Sequence, residues 1–247
     1  MSGLIEEKQS NVNYLSIIGG KVTQRVKEHQ FNGDNQLTVE RKIEDDNGDY
    51  VKTVIERHYG GIAGKLQKIE MKDGNYGTTM EVRLSTENAL YNLSIKLDSS
   101  YARSLMFRLN NIDPNLEVTL KPYNFTDNEQ KNSKGEPKKI IGISVFQKDR
   151  GFEGDKVPMF WTKDEPGDLP PWEKKMVAGK AKWNNDEQLD FLYKFTEKWS
   201  KDNLETLTFE QPKMDASQMP LEQSHAKKMA EANLPSDNED EPDDLPF

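Results

Sequence analysis

Thr78-Thr-Met-Glu-Val-Arg-Leu84, then Leu90-Tyr-Asn-Leu-Ser-Ile-Lys-Leu97, then Asp98-Ser-Ser100: these three runs decide the fold. In the first, Met80, Val82 and Leu84 fall on one side and Thr79, Glu81 and Arg83 on the other. In the second, Tyr91, Leu93, Ile95 and Leu97 alternate with Asn92, Ser94 and Lys96. Successive side chains of a strand point to opposite faces, so a period of two predicts two half-buried strands. The period then changes. Asp98-Ser-Ser100 supplies N-cap side chains, and Tyr101, Leu105, Phe107, Leu109 and Ile112 recur at helical spacing until Asp113-Pro114-Asn115 stops them.

Working outward, Ile62 to Met71 reads as a strand ahead of the Lys72-Asp-Gly-Asn75 turn. Beyond the helix, Leu116, Val118 and Leu120 mark a fourth strand, and Ile141, Ile143 and Val145 a fifth. Three strands, a helix of about three turns and two strands is the order of the oligonucleotide/oligosaccharide-binding (OB) fold, a small five-stranded barrel. Its ligand face lies on the second and third strands and the loops at either end. Between strands four and five, Asn124 to Lys139 carries Lys131, Lys134, Lys138 and Lys139 with little apolar content. That composition predicts a mobile basic loop.

The flanks are less regular. Val12 to Val26 and Leu37 to Ile55 predict a strand meander, with a bulge or bend at Gly19-Gly20 and a hairpin turn at Asp45-Asp-Asn-Gly48. After the barrel comes a Pro-, Gly- and Trp-rich stretch to Trp172, expected as a structured loop or arm, and then lysines to Lys182. Asp186 to about Lys201 predicts a helix capped by Asn184 or Asn185, with a stripe of Leu189, Leu192, Tyr193, Thr196 and Trp199. The expected architecture is mainly β with one or two helices. Residues 1–59 form an N-terminal strand extension packed on the barrel and 60–150 the OB-fold core. Residues 151–205 form the arm and post-barrel helix, 206–235 a linker and 236–247 a disordered acidic tail.

The chain has 247 residues, no cysteine, 34% hydrophobic and 31% charged residues, and a net charge of −9. Without cysteine there is no disulfide, no thiolate zinc site and no cysteine nucleophile. The three histidines lack metal-ligand spacing, and neither a phosphate-cradling glycine loop nor a nucleophile elbow occurs. No apolar run approaches a membrane span, and no export signal opens the sequence. These absences point away from an enzyme, a metal, a cofactor and a membrane.

The charge is uneven. Ser236 to Phe247 reads SDNEDEPDDLPF and holds six of the 43 acidic side chains, leaving 37 acids against 34 bases elsewhere. So acidic a stretch repels itself and offers too little apolar surface to fold. Its Asp243-Asp244-Leu245-Pro246-Phe247 end resembles the acidic C-terminal tip of bacterial and phage single-stranded DNA-binding proteins. That resemblance implies a replication, recombination and repair accessory, acting in the cytoplasm of a bacterial host if phage-encoded. It would coat single-stranded DNA without sequence preference. In such proteins the tip docks on polymerases, helicase/primase or nucleases. Carried over here, the partner-binding tail is Asp240, Glu241, Asp243, Asp244, Leu245, Pro246 and Phe247; Phe247 and its carboxylate would anchor, Asp243 and Asp244 would steer, and the tail would compete with DNA for the groove. The N-terminal meander and post-barrel helix depart from the tetrameric bacterial type, so a monomer or homodimer is expected.

Binding a single strand requires cations for phosphates and aromatic faces for bases. The residues expected to supply them are Tyr76, Arg83, Lys96, Lys121, Tyr123, Lys131, Lys138, Lys139, Phe146 and Trp161. A scaffold whose barrel binds protein instead of DNA is the alternative.

Overall fold

The computed structural model describes residues 12–26, 38–44, 50–75, 77–132, 135–177 and 180–205. Its strands are β1 (Val12–Ile18), β2 (Lys21–Val26), β3 (Thr38–Glu44), β4 (Tyr50–Tyr59), β5 (Ile62–Gly74) and β6 (Gly77–Ser85). They continue with β7 (Leu90–Lys96), β8 (Glu117–Lys131), β9 (Pro137–Phe146), β10 (Glu173–Val177) and β11 (Lys180–Asn184). The helices are α1 (Ser100–Met106) and α2 (Asp186–Leu204). The chain is therefore mainly β.

Strands β1 to β9 form one open sheet of nine strands in the order β3-β4-β2-β1-β7-β6-β5-β8-β9, and β10 and β11 pair separately as a hairpin. The alternating stretches fold as their period dictates. Met80, Val82, Leu84, Leu93 and Ile95 are buried, and Arg83, Glu81, Ser94 and Lys96 face the other way. The order β7-β6-β5-β8-β9 arises through antiparallel pairs. A closed five-stranded barrel, however, is not what forms. The edge of β7 is occupied by β1, which runs parallel to it from Val12↔Leu90 to Ser16↔Ser94. The N-terminal meander thus extends the sheet. It turns at Gly19-Gly20, where φ of 56° and 77° makes a tight hairpin between β1 and β2 rather than a bulge.

Two helices finish the sheet where strand pairing stops. Ser99 caps α1 by accepting the Ala102 N–H. α1 is shorter than the expected three turns, breaking after Met106 into a 3-10 turn at Leu109–Asn111. It packs along β9, and its Ser104 hydroxyl donates to the Ile143 carbonyl (3.0 Å) and accepts the Ile143 N–H (3.1 Å). A strand partner would make those same two bonds. Further along β9, the Val157 N–H reaches Val145 O and the Gln147 N–H reaches Asp155 O. α2 does the equivalent for β5. β8 accompanies β5 only from Ile62 to Lys65, and beyond that point the Ile69 N–H donates to the Ser200 hydroxyl at 3.0 Å. α2 starts as expected, with Asn184 Oδ1 accepting the Asp186 N–H, and buries Leu192, Thr196, Trp199 and Leu204.

The core lies on the inner face, between the sheet and the two helices. Leu66, Met80, Val82, Leu84, Leu93, Leu105, Met106 and Leu120 are fully buried there. Burial of this kind supplies most of the favourable folding free energy, at about 25 cal/mol per Å² of apolar surface.

The expected basic loop between strands four and five is instead a long hairpin. β8 and β9 stay in register from Thr119↔Phe146 to Asp127↔Lys138, shift, and pair once more at Lys131↔Pro137. Asn132 organises the turn: its carbonyl accepts from Gly135 and its side chain from the Glu136 N–H. Polar composition misled because the outer half of this hairpin is held by ladder bonds and buries little.

Candidate nucleic-acid interface

Register fixes what the outer face of the sheet presents. Tyr14 of β1 stands opposite Asn92 of β7, Asn92 opposite Arg83 of β6, and Arg83 opposite Lys68 of β5. Residues directly opposite share a face, so one row crosses four strands and carries an aromatic ring and two cations, with Asn92 between them only 3% exposed. Tyr14 is 52% exposed. Arg83 is half-buried, and its Nε has no hydrogen-bond partner among the described residues. In the next row Glu81 and Glu70 are answered locally. Glu81 takes Lys72 and the Asn92 amide (2.9 Å), and Glu70 takes Lys68 (3.2 Å). Lys96 lies beyond them, 3.5 Å from Asp98.

The β8–β9 hairpin continues this face with aromatic rings. Thr119, Lys121, Tyr123 and Phe125 alternate outward along β8, facing Phe146, Ser144, Gly142 and Ile140 of β9. Lys121 Nζ lies 5.0 Å from the Phe146 ring centre, a cation–π contact. Tyr123 and Phe125 rings are 5.9 Å apart and tilted by 44°. Phe125 is 52% exposed, whereas Tyr123 is half-buried. Gly142 is the reason Tyr123 fits. A Cβ at that position would collide with the Tyr123 hydroxyl and stand 3.0 Å from Ser104 Oγ. Beneath, Arg108 donates to Ser104 O, Ser104 Oγ and Val157 O. Burial lowers the Arg108 pKa, partly offset by the nearby Tyr123. Lys121, Tyr123 and Phe125 therefore follow one another along β8 at about 7 Å per outward residue, with Phe146 of β9 beside Lys121.

The structure sorts the ten expected body residues. Arg83, Lys96, Lys121, Tyr123 and Phe146 share the outer face. Lys138 is opposite Asp127, at the far end of the same hairpin face. Lys139 pairs with Thr126 on the reverse side, and Lys131 is exposed near the hairpin turn. Trp161 does not belong to the interface: it is 1% exposed. Its ring is enclosed by Phe107, Phe160, Phe191 and Phe195 at 4.8–6.1 Å, and its Nε1 donates to Asp168 at 3.0 Å. An aromatic in a Pro- and Gly-rich stretch anchored that stretch to the helices instead of offering itself to solvent. Tyr76 and the tail residues Asp240, Glu241, Asp243, Asp244, Leu245, Pro246 and Phe247 lie outside the described residues.

Sequence reasoning missed Phe125, Tyr14 and Lys68. Phe125 was discoverable, because the alternation Lys121, Tyr123, Phe125 runs unbroken into the stretch taken for a loop.

Two further charged groups belong to this architecture. Glu56 of β4, 1% exposed, holds Arg41 through two bonds (2.7 and 3.2 Å), with His58 at 3.4 Å and Arg25 at 3.9 Å. Burial alone would raise its pKa, but the three basic partners together hold the carboxyl below the usual range. Arg103 of α1 is buried beneath the Trp172 ring at 5.0 Å, and burial pushes its pKa down to about 10 despite nearby Asp98.

Among the described residues no three His, Asp or Glu side chains converge as a metal site, and no helix is long and apolar enough to cross a membrane. No known family, curated protein or solved structure matches the chain.

Proposed function

We propose that this chain binds single-stranded DNA without sequence preference and protects it during replication, recombination and repair. The observation that carries the reading is the Phe146–Lys121–Tyr123–Phe125 cluster on the outer face, with Lys121 and Phe125 exposed and Phe146 and Tyr123 half-buried. Three rings and one cation on adjacent strands suit stacked bases and a phosphate, each stacked base contributing about 1–3 kcal/mol. Strands β5 to β9 with α1 are read as an OB-type unit whose β7–β9 seam is filled by a helix and whose β7 edge is extended by β1. Tyr14, Arg83 and Lys68 broaden the same face. The chain acts as a binding protein, without a catalytic group or cofactor. The acidic stretch Asp240–Phe247 competes with DNA for this face and, once displaced, recruits polymerase, helicase/primase or nuclease in the cytoplasm.

The test compares a fluorescent single-stranded oligonucleotide with its duplex, on the full chain and on a chain truncated after Pro235, at low and moderate salt. Preference for the single strand, tightening on truncation and weakening with salt are the expected results. Absence of binding to either form at low salt overturns the proposal and leaves a protein-docking scaffold.

A further inference from the structure

We propose that two copies of this chain associate through the outer edge of β3, in an antiparallel two-fold pairing centred on Arg41. The inference is independent of nucleic-acid binding. β3 ends the nine-stranded sheet, and nothing among the described residues pairs with its outer edge. An exposed edge of unpaired N–H and C=O groups is a template for another strand unless charge opposes it.

The strand Thr38-Val-Glu-Arg-Lys-Ile-Glu44 is complementary to itself. Antiparallel strands related by a two-fold axis must share an axis perpendicular to the sheet, so the register has to centre on a residue. Centring on Arg41 sets Val39 against Ile43 of the second copy and Glu40 against Lys42, each twice, and uses the full strand. Centring on Glu40 or Lys42 likewise opposes like charges at the axis, but it shortens the overlap and sets Arg41 against Val39 or Ile43, with no opposite-charge pair. Val39 is 42% exposed, and Glu40 and Lys42 are exposed, so the groups that would pair are presented to solvent. The one unfavourable pair, Arg41 against Arg41, is relieved inside each chain. That guanidinium is held by the Glu56 carboxylate through two hydrogen bonds. Because Val39, Arg41 and Glu56 share the outer face, the perpendicular axis leaves both candidate interface surfaces on the same side of one continuous sheet.

Charge-swapped variants of the full chain test this by sedimentation velocity. The unaltered chain is expected to dimerise. Glu40→Lys alone opposes two lysine pairs and Lys42→Glu alone opposes two glutamate pairs, so each weakens self-association by at least tenfold. An equimolar mixture of the two single variants restores a heterodimer, and the double variant E40K/K42E restores the homodimer. Both sites are exposed, and circular dichroism checks that each variant stays folded; restoration on mixing distinguishes lost pairing from damage. A chain that is monomeric throughout, a dimer indifferent to the single changes, or single variants that mixing does not rescue would each overturn the proposal.

Discussion

The Ser104 hydroxyl bonds both the N–H and the C=O of Ile143, at 3.1 and 3.0 Å, while accepting Arg108 Nη1 at 2.9 Å. One side chain therefore stands in for a missing strand on the β9 edge. Ser104→Ala would leave a buried donor and acceptor unmet and remove one Arg108 partner, costing about 2–4 kcal/mol. Ser200→Ala strands only the Ile69 N–H and should cost about 1–2 kcal/mol. Urea unfolding with unchanged m would report this order, and equal or negligible losses would contradict it.

Trp161→Ala should lower stability by about 3–5 kcal/mol, as for other large buried aromatics. It should leave the oligonucleotide affinity of the folded fraction unchanged. Selective loss of binding at full stability would return Trp161 to the interface.

Phe125→Ala should behave in the opposite way. Its ring is exposed, so stability should move by no more than about 0.5 kcal/mol. Single-strand affinity should fall by about tenfold, for a lost stack of about 1–3 kcal/mol. Gly142→Ala tests the same cluster from below by forcing Tyr123 aside, and should cost about 1–3 kcal/mol of stability as well as affinity. Anisotropy titrations paired with thermal melts separate the two effects.

Glu56 predicts an acid limb. Its folded pKa is depressed, so the unfolded chain takes up the proton first as pH falls. The stabilisation is present above the unfolded carboxylate value of about 4.3 and disappears as pH drops through the folded value. Glu56→Gln should lower the melting temperature at neutral pH and flatten its decline below about pH 5. An unaltered acid limb in that variant would count against the cluster.

What could be read in advance was what local chemistry decides. The alternation through Met80, Val82 and Leu84, the Ser99 cap and the α2 stripe are each set by residues close in sequence, and each folds as its period requires. The parallel pairing of β1 with β7 has no local signature, so an open sheet replaced the expected closed barrel. The same blindness hid Ser104 and Ser200, whose value depends on which edge each helix covers. At the site, Lys121, Tyr123 and Phe146 were legible because they alternate with buried neighbours. Trp161 was misread because an irregular stretch carries no period from which to assign a face.

The β1–β7 junction also constrains the order of events during synthesis. The Asn13 side chain donates to the Leu90 carbonyl, a partner 77 residues away, and the strands around them pair in parallel. Contacts so distant along the chain close late, because loop entropy must be overcome before any bond forms. The β1–β2 hairpin leaves the ribosome long before its neighbour exists, with one edge of β1 waiting. Until β7 emerges, that edge stays open to capture by a chaperone or by another unfinished copy.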